Sequence, residues 1–219
     1  MIRVTAFRWV PPFAQGLVRD LRVRWALEEA GLPYEEHLIG PEDQDSDAYR
    51  ALQPFGQVLV LEEDDTAMFE SGAIVLHIAE RAPALMPDDG HARERVRSWM
   101  LAALNSVEPP IMMLVAIDSQ PPDALRASQA LRETIVGRID TRLDGLARFL
   151  GTHEHLVDGR FTAADLLMTT VLRIPRHTDV VTRRPALDAY RKRNESRPAF
   201  QKALDAQLAT FARHQPPAR

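Results

Sequence analysis

A change of period constrains this chain more than any other feature. Up to Arg81 the apolar residues switch back and forth between strand and helix spacing, and beyond it strand alternation does not return. Ile2 to Phe7 (IRVTAF) is β-branched and apolar enough for a buried strand. Leu17, Val18, Leu21, Trp25 and Leu27 to Ala30 then form a helical stripe, closed by Gly31 and Pro33. PYEEHLI alternates as a second strand, and Pro41 to Asp47 (PEDQDSD) reads as a solvated loop before a short helix around Tyr49 to Leu52. QVLVLEE is a run of β-formers, Asp64-Asp65 a turn and TAMFE a partner strand, which together predict an antiparallel hairpin. Ser71 opens SGAIVLHIAER, a helix with Ile74, Val75, Leu76 and Ile78 on its buried face. The order is β-α-β-α-β-β-α.

Ala82-Pro83 and Met86 to Gly90 (MPDDG) form a connector rich in proline, glycine and aspartate. Downstream, helices are expected at about 91–105, continuing irregularly past Glu108-Pro109-Pro110, and at 123–150, 162–173, 185–194 and 198–212. The tail HQPPAR is expected to fray. The fold class is therefore α/β plus all-α, with an α/β domain at 1–82, a linker at 83–90 and an all-helical domain at 91–219.

Composition narrows the chemistry. With no cysteine among 219 residues, the chain supplies no disulfide, no thiolate metal site and no cysteine nucleophile, so sulfur chemistry must come from a ligand. A net charge of -4 argues against nucleic acid as a partner. Only Lys192 and Lys202 among the 27 basic residues are lysine, which reads as coding bias. The N-terminal stretch lacks a signal-like apolar region and no apolar run approaches the ~20 residues of a membrane span, so a cytoplasmic location without membrane contact is expected.

The strongest local signal is Gly159 to Arg173 (GRFTAADLLMTTVLR). Thr162 and Asp165 have the spacing of a capping box, with Phe161 and Leu166 placed for a hydrophobic staple, and this reads as a structural device. Together with Pro54 to Arg81 (PFGQVLVLEEDDTAMFESGAIVLHIAER) and the element order, it resembles the cytosolic glutathione S-transferases over nearly the whole chain. The resemblance implies an N-terminal thioredoxin-like domain that binds glutathione as co-substrate, no tightly bound cofactor and a helical C-terminal domain. It also implies a homodimer, and conjugation of the glutathione thiol to an apolar electrophile, as in detoxification. A non-catalytic binding protein of the same fold, or another glutathione-dependent activity such as peroxide reduction or isomerisation, is the alternative; the absence of an SSCS-like start argues against the isomerase class.

Residue by residue, the resemblance places the cysteinyl backbone of glutathione on Val58 by strand addition, with Gln57 contacting the tripeptide. Glu70 matches the acid that takes the ammonium of the γ-glutamyl end, and Ser71, with the N–H groups opening its helix, the group that takes the carboxylate. The plainer alternative makes Ser71 a helix N-cap and Glu70 a solvated acid.

Two departures stand out. Where the family has a cis-proline after the position of Val58, this chain has Leu59, so either a cis Val58–Leu59 bond is held by its surroundings or the loop is rearranged. Residues 1–33 contain no tyrosine, serine or cysteine to activate a thiol, and the family's catalytic position falls on Leu17 or Pro11, according to the alignment. Helix-start N–H groups with Gln15 or Arg19 as donors are what remains, although Arg19 also fits a solvated or aspartate-paired arginine. Trp9, Phe13, Met112 and Met113 are candidates for an adaptable apolar wall around the electrophile, or plain core, and PPIMMLVAI predicts a bend. His153 and His155 form an HxH without an acidic partner pattern, and no metal is expected.

Overall fold

A computed structural model describes residues 1–214 and 216. The fraying expected at the C-terminus concerns 215 and 217–219, which lie outside the described residues. Contacts divide the chain into two units, Met1–Met86 with Ser196–Arg219, and Pro87–Glu195.

The first unit is built on a four-stranded sheet of order β2-β1-β3-β4. β1 (Ile2–Phe7) pairs in parallel with β2 (Tyr34–Ile39) and antiparallel with β3 (Val60–Glu63), which pairs antiparallel with β4 (Thr66–Phe69). Ile2, Val4 and Ala6 are buried, and so is Thr5 on the opposite face, as a sheet covered on both sides requires. Asp64 adopts a φ of 51° in the hairpin turn, a conformation aspartate tolerates better than most residues. The helices of this part are α1 (Asp20–Ala30), α2 (Pro41–Gln44), α3 (Asp47–Leu52) and α4 (Ser71–Ala79).

Three details differ from the sequence expectation. α1 begins at Asp20 and not near Leu17, because residues 11–19 close tight turns first, with Ala14 N–H donating to Pro11 and Leu17 N–H to Ala14. The acidic stretch after β2 is a short helix, held where the Asp43 carboxylate accepts from Gly40 N–H at 2.7 Å and pairs with Arg8 at 2.7 Å. β3 begins at Val60, after Gly56 at φ 63° and a cis Val58–Leu59 bond, the first of the two alternatives open for that loop.

The last helix, α11 (Pro198–Arg213), belongs with this sheet and not with the helical residues before it. Its reason is a set of contacts with α1 and β2. Phe200 meets Trp25 edge-on, with ring centroids 4.8 Å apart. Gln207 donates to Asp20 Oδ1 at 2.6 Å, Thr210 donates to Glu36 Oε1 at 2.8 Å, and Arg197 grips Glu29 with two bonds of 2.6 and 2.8 Å. Arg24, almost wholly buried, donates to Asp20 at 2.6 Å and Glu36 at 2.5 Å. Burial works against its charge, but Asp20 and Glu36 outweigh that and raise its pKa.

The second unit is helical: α5 (Gly90–Ala102), a π-helical turn (Ala103–Val107), α6 (Glu108–Asp118), α7 (Pro122–Ala127), α8 (Gln129–Leu150), α9 (Ala163–Arg173) and α10 (Pro185–Glu195). The π turn sits just before Pro109 and Pro110, whose missing N–H groups interrupt the regular ladder, so the expected bend takes this form. By length and composition alone, Gly90–Asp118 is long and apolar enough to cross a membrane, contrary to the sequence reading of apolar runs; Val96, Met100, Ile111 and Leu114 on it are buried in the protein. α9 is buried throughout Ala163–Leu172 and carries the cap: Thr162 N–H and hydroxyl both reach Asp165 Oδ2, at 3.0 and 3.1 Å. The other Asp165 oxygen accepts from Leu156 N–H and the Tyr190 hydroxyl, each at 2.9 Å.

Burial opposes ionisation of Glu36, but its bond from Thr210 and its pairing with Arg24 win and lower its pKa. A carboxyl depressed by folding stabilises the protein above its unfolded pKa and loses that contribution as pH falls through the folded value. Wild type should therefore lose urea resistance as pH drops from about 5 to about 3, while Glu36→Gln changes less over that range. Circular dichroism at graded urea concentration measures it; parallel curves for the two proteins would refute the assignment.

Candidate functional site

The loop before β3 is held from three sides. The buried Gln53 carboxamide oxygen accepts from Phe55 N–H at 2.7 Å and Gln57 N–H at 3.2 Å, and Gln44 donates to Gly56 O at 2.7 Å. The Tyr49 hydroxyl donates to Gln57 O at 2.7 Å; burial pushes its pKa up to about 12, so it remains a donor at neutral pH. Val58 packs on the cluster of Ile39, Tyr49 and Val60, while the Gln57 side chain is exposed. Among the described residues no backbone group pairs with Val58 N–H or C=O. An extended peptide can add to such an edge through main-chain bonds.

Beyond the hairpin, Glu70 stands at the N-cap of α4 with a φ of 71°, a left-handed conformation that costs a non-glycine residue energy. Its side chain makes no capping bond, and Ser71 is already the first helical residue, so neither fills the plain cap role left open from the sequence. The first-turn N–H groups of α4 lack a side-chain cap and carry the positive end of the helix dipole. Arg22, buried on α1, donates to the Ser71 hydroxyl oxygen at 3.2 Å. The serine keeps its own proton for another acceptor, so hydroxyl, helix start and guanidinium together make a place for a carboxylate. Arg22 was not singled out from the sequence as a site residue, because the contact joins residues 49 positions apart.

The first loop offers fewer donors than the sequence suggests. Gln15 spends an amide hydrogen on Val10 O at 3.1 Å. Leu21 and Arg22 N–H donate to Val18 O and Arg19 O, which removes two of the helix-start groups. Gly16 N–H donates to Gln207 Oε1 at 3.2 Å, and Gln207 also donates to Val18 O at 3.3 Å. Arg19 is exposed at the N-cap of α1. The Asp20 carboxylate that follows is buried, and burial pushes its pKa up against the opposing charge of Arg24.

The four apolar candidates divide between the units. Trp9 is half-buried and Phe13 is 78% exposed in the first; Met112 and Met113, on α6, are exposed in the second. His155 lies 3.8 Å from Asp165, and His153 bonds Leu150 O; among the described residues no group of three or more acidic or histidine side chains is placed to hold a metal.

A thioredoxin-like α/β unit followed in sequence by an all-helical one is the glutathione-transferase architecture. Residues 21–91 match the family model of the glutathione S-transferase N-terminal domain and residues 107–198 that of its C-terminal domain. Glutathione S-transferase 4 of Zea mays is 29% identical over 210 residues, which cover 91% of each chain. Maleylpyruvate isomerase of a Ralstonia species is 36% identical over 117 residues, or 52% of this chain and 50% of that protein. A glutathione transferase from Burkholderia graminis, crystallised with two glutathione molecules per subunit, superposes with a TM-score of 0.80 at 20% identity, covering 94% of this chain and 88% of its own. The chain belongs to the cytosolic glutathione S-transferase family.

Gln207 ties the first loop to α11. Gln207→Leu should raise amide exchange at Gly16 by about tenfold, the equivalent of one lost hydrogen bond, while exchange in β1 stays as it was. Nuclear magnetic resonance of the full chain reads both; unchanged exchange at Gly16 would show that the loop is held otherwise.

Proposed function

We propose that this protein is a glutathione transferase that joins the sulfur of glutathione to an electrophilic carbon of an apolar small molecule. The thiol proton leaves first, the thiolate then forms the C–S bond, and the electron pair departs with a leaving group or moves onto an activated double bond, which takes up a proton. The observation that carries the reading is the uncapped start of α4, with Arg22 on the Ser71 hydroxyl and Glu70 held at positive φ beside it. There Ser71 and the helix N–H groups would take the γ-glutamyl carboxylate and Glu70 the ammonium. Val58 would bond the cysteinyl backbone, and the exposed Gln57 the tripeptide's flank.

With no tyrosine, serine or cysteine in residues 1–33, we assign thiol activation to positive charge near the first loop, with Arg19 as the leading group and Gln15 as an auxiliary donor. Trp9, Phe13, Met112 and Met113 would supply apolar contacts to the acceptor. A homodimer in the cytoplasm, and the division into a glutathione-binding domain and a helical domain, complete the proposal. Isomerisation is the second reading and is not favoured: the identity to maleylpyruvate isomerase covers 52% of this chain, and the first residues lack an SSCS-like start.

Calorimetric titration with glutathione should give saturable binding, and a chloro-dinitro-aromatic substrate should be conjugated. Absence of binding would defeat the proposal, and binding without conjugation would favour the isomerase reading. Arg22→Met should raise KM for glutathione by about tenfold or more with kcat little changed, since it removes a charge-assisted contact behind the carboxylate site. Arg19→Ala should raise the apparent pKa of the bound thiol; an unaltered pH–rate profile would dismiss Arg19.

A further inference from the structure

Two consecutive peptide planes lead into the Val58 edge, and side chains hold both of them. In the first, Gly56 O accepts from Gln44 Nε2 at 2.7 Å and Gln57 N–H donates to the buried Gln53 carboxamide oxygen at 3.2 Å, so both of its polar groups are engaged. In the second, Gln57 O accepts from the Tyr49 hydroxyl at 2.7 Å, while Val58 N–H has no backbone partner among the described residues. The Gln57–Val58 bond is trans. In a trans peptide the carbonyl and the N–H point in opposite directions and the plane turns only as a whole. A donor that holds Gln57 O on the side of α3 therefore directs Val58 N–H away from α3.

The two parts of the Tyr49 side chain do different work. Its ring is buried with Ile39 and Val60, and Val58 packs against that cluster, which fixes where the hydroxyl stands. The hydroxyl fixes the backbone. Gln57 is an exposed residue, so without that donor its carbonyl has water as an alternative partner and the plane is free to turn. Burial pushes the Tyr49 pKa up to about 12, which keeps the donated proton in place throughout the range in which a thiol titrates.

We propose that Tyr49 is a positioning residue for the cysteinyl backbone of glutathione: by holding Gln57 O, its hydroxyl presents Val58 N–H already aligned to the cysteinyl carbonyl. The inference rests on the transferase reading, in which Val58 bonds that backbone. Tyr49 touches no ligand atom and acts through the Gln57–Val58 plane. Alignment before binding reduces the ordering that glutathione must impose on the loop, so its effect falls on affinity and not on the chemical step.

Calorimetric titration with glutathione, steady-state rates with a chloro-dinitro-aromatic acceptor and amide exchange at Val58 test this on the full chain. In the wild type, saturating glutathione should slow exchange of Val58 N–H. Tyr49→Phe keeps the ring and removes only the hydroxyl. It should weaken glutathione about fivefold, the equivalent of one hydrogen bond, keep kcat within about twofold of wild type, and reduce the protection of Val58 N–H. Unchanged affinity and protection in Tyr49→Phe, or a lower kcat at unchanged affinity, overturns the role given to Tyr49 and leaves the transferase reading standing. Weaker binding with an equal loss of protection throughout β1 marks a general loosening of the unit and overturns it as well. Glutathione binding without protection of Val58 in the wild type removes the Val58 contact and this inference with it, whereas absence of binding to the wild type defeats the transferase reading itself.

Discussion

The buried pair of Arg24 and Asp20 is the contact on which the first unit depends. Four segments meet around it: α1 supplies both residues, β2 supplies Glu36, α11 supplies Gln207 and Thr210, and the first loop is tied in through Gly16. A buried ion pair adds little net stability compared with apolar residues of equal volume, but removal of one partner costs about 3–5 kcal/mol because it strands the other charge. Its value here is in alignment. Trp25 and Phe200 would pack in several registers, whereas Gln207 can satisfy Asp20, Gly16 and Val18 in only one.

That seam explains what the sequence showed and what it concealed. The sheet was legible because IRVTAF and QVLVLEE combine β-branched content with turn residues at their ends, signals confined to a few neighbouring positions. The α9 cap was legible for the same reason, with Thr162 and Asp165 three residues apart. The place of α11 was not. Its amphipathic spacing specifies an apolar face without saying what covers it, and Gln207 and Thr210 read as ordinary polar positions until Asp20 and Glu36 are brought beside them. Arg22 escaped for a related reason: a serine at a helix start is visible in the sequence, but the guanidinium behind it comes from another helix. The start of α1 was placed three residues early because Leu17 and Val18 continue the helical stripe, while Gly16 at φ 75° and the turns around it interrupt the backbone.

The same seam bears on thiol chemistry. A free thiol ionises near pH 8.5, and bringing that to about 6.5 takes about 2.7 kcal/mol. The start of α1 is a poor source of it, because Leu21 and Arg22 N–H are engaged and the half-charge of the dipole lies next to the Asp20 carboxylate. Arg24 and Gln207 both bond Asp20, so the network that orders the loop also offsets an acid that would repel a thiolate. On the reading proposed above a guanidinium would supply the rest: one unit charge at about 4 Å and an effective dielectric near 20 contributes about 4 kcal/mol, and less from an exposed side chain such as Arg19, which water screens. The proposal gives that role to Arg19 at the N-cap of α1, next to a loop whose backbone Gln207 anchors through Gly16, so the arginine would start from a fixed Cα position.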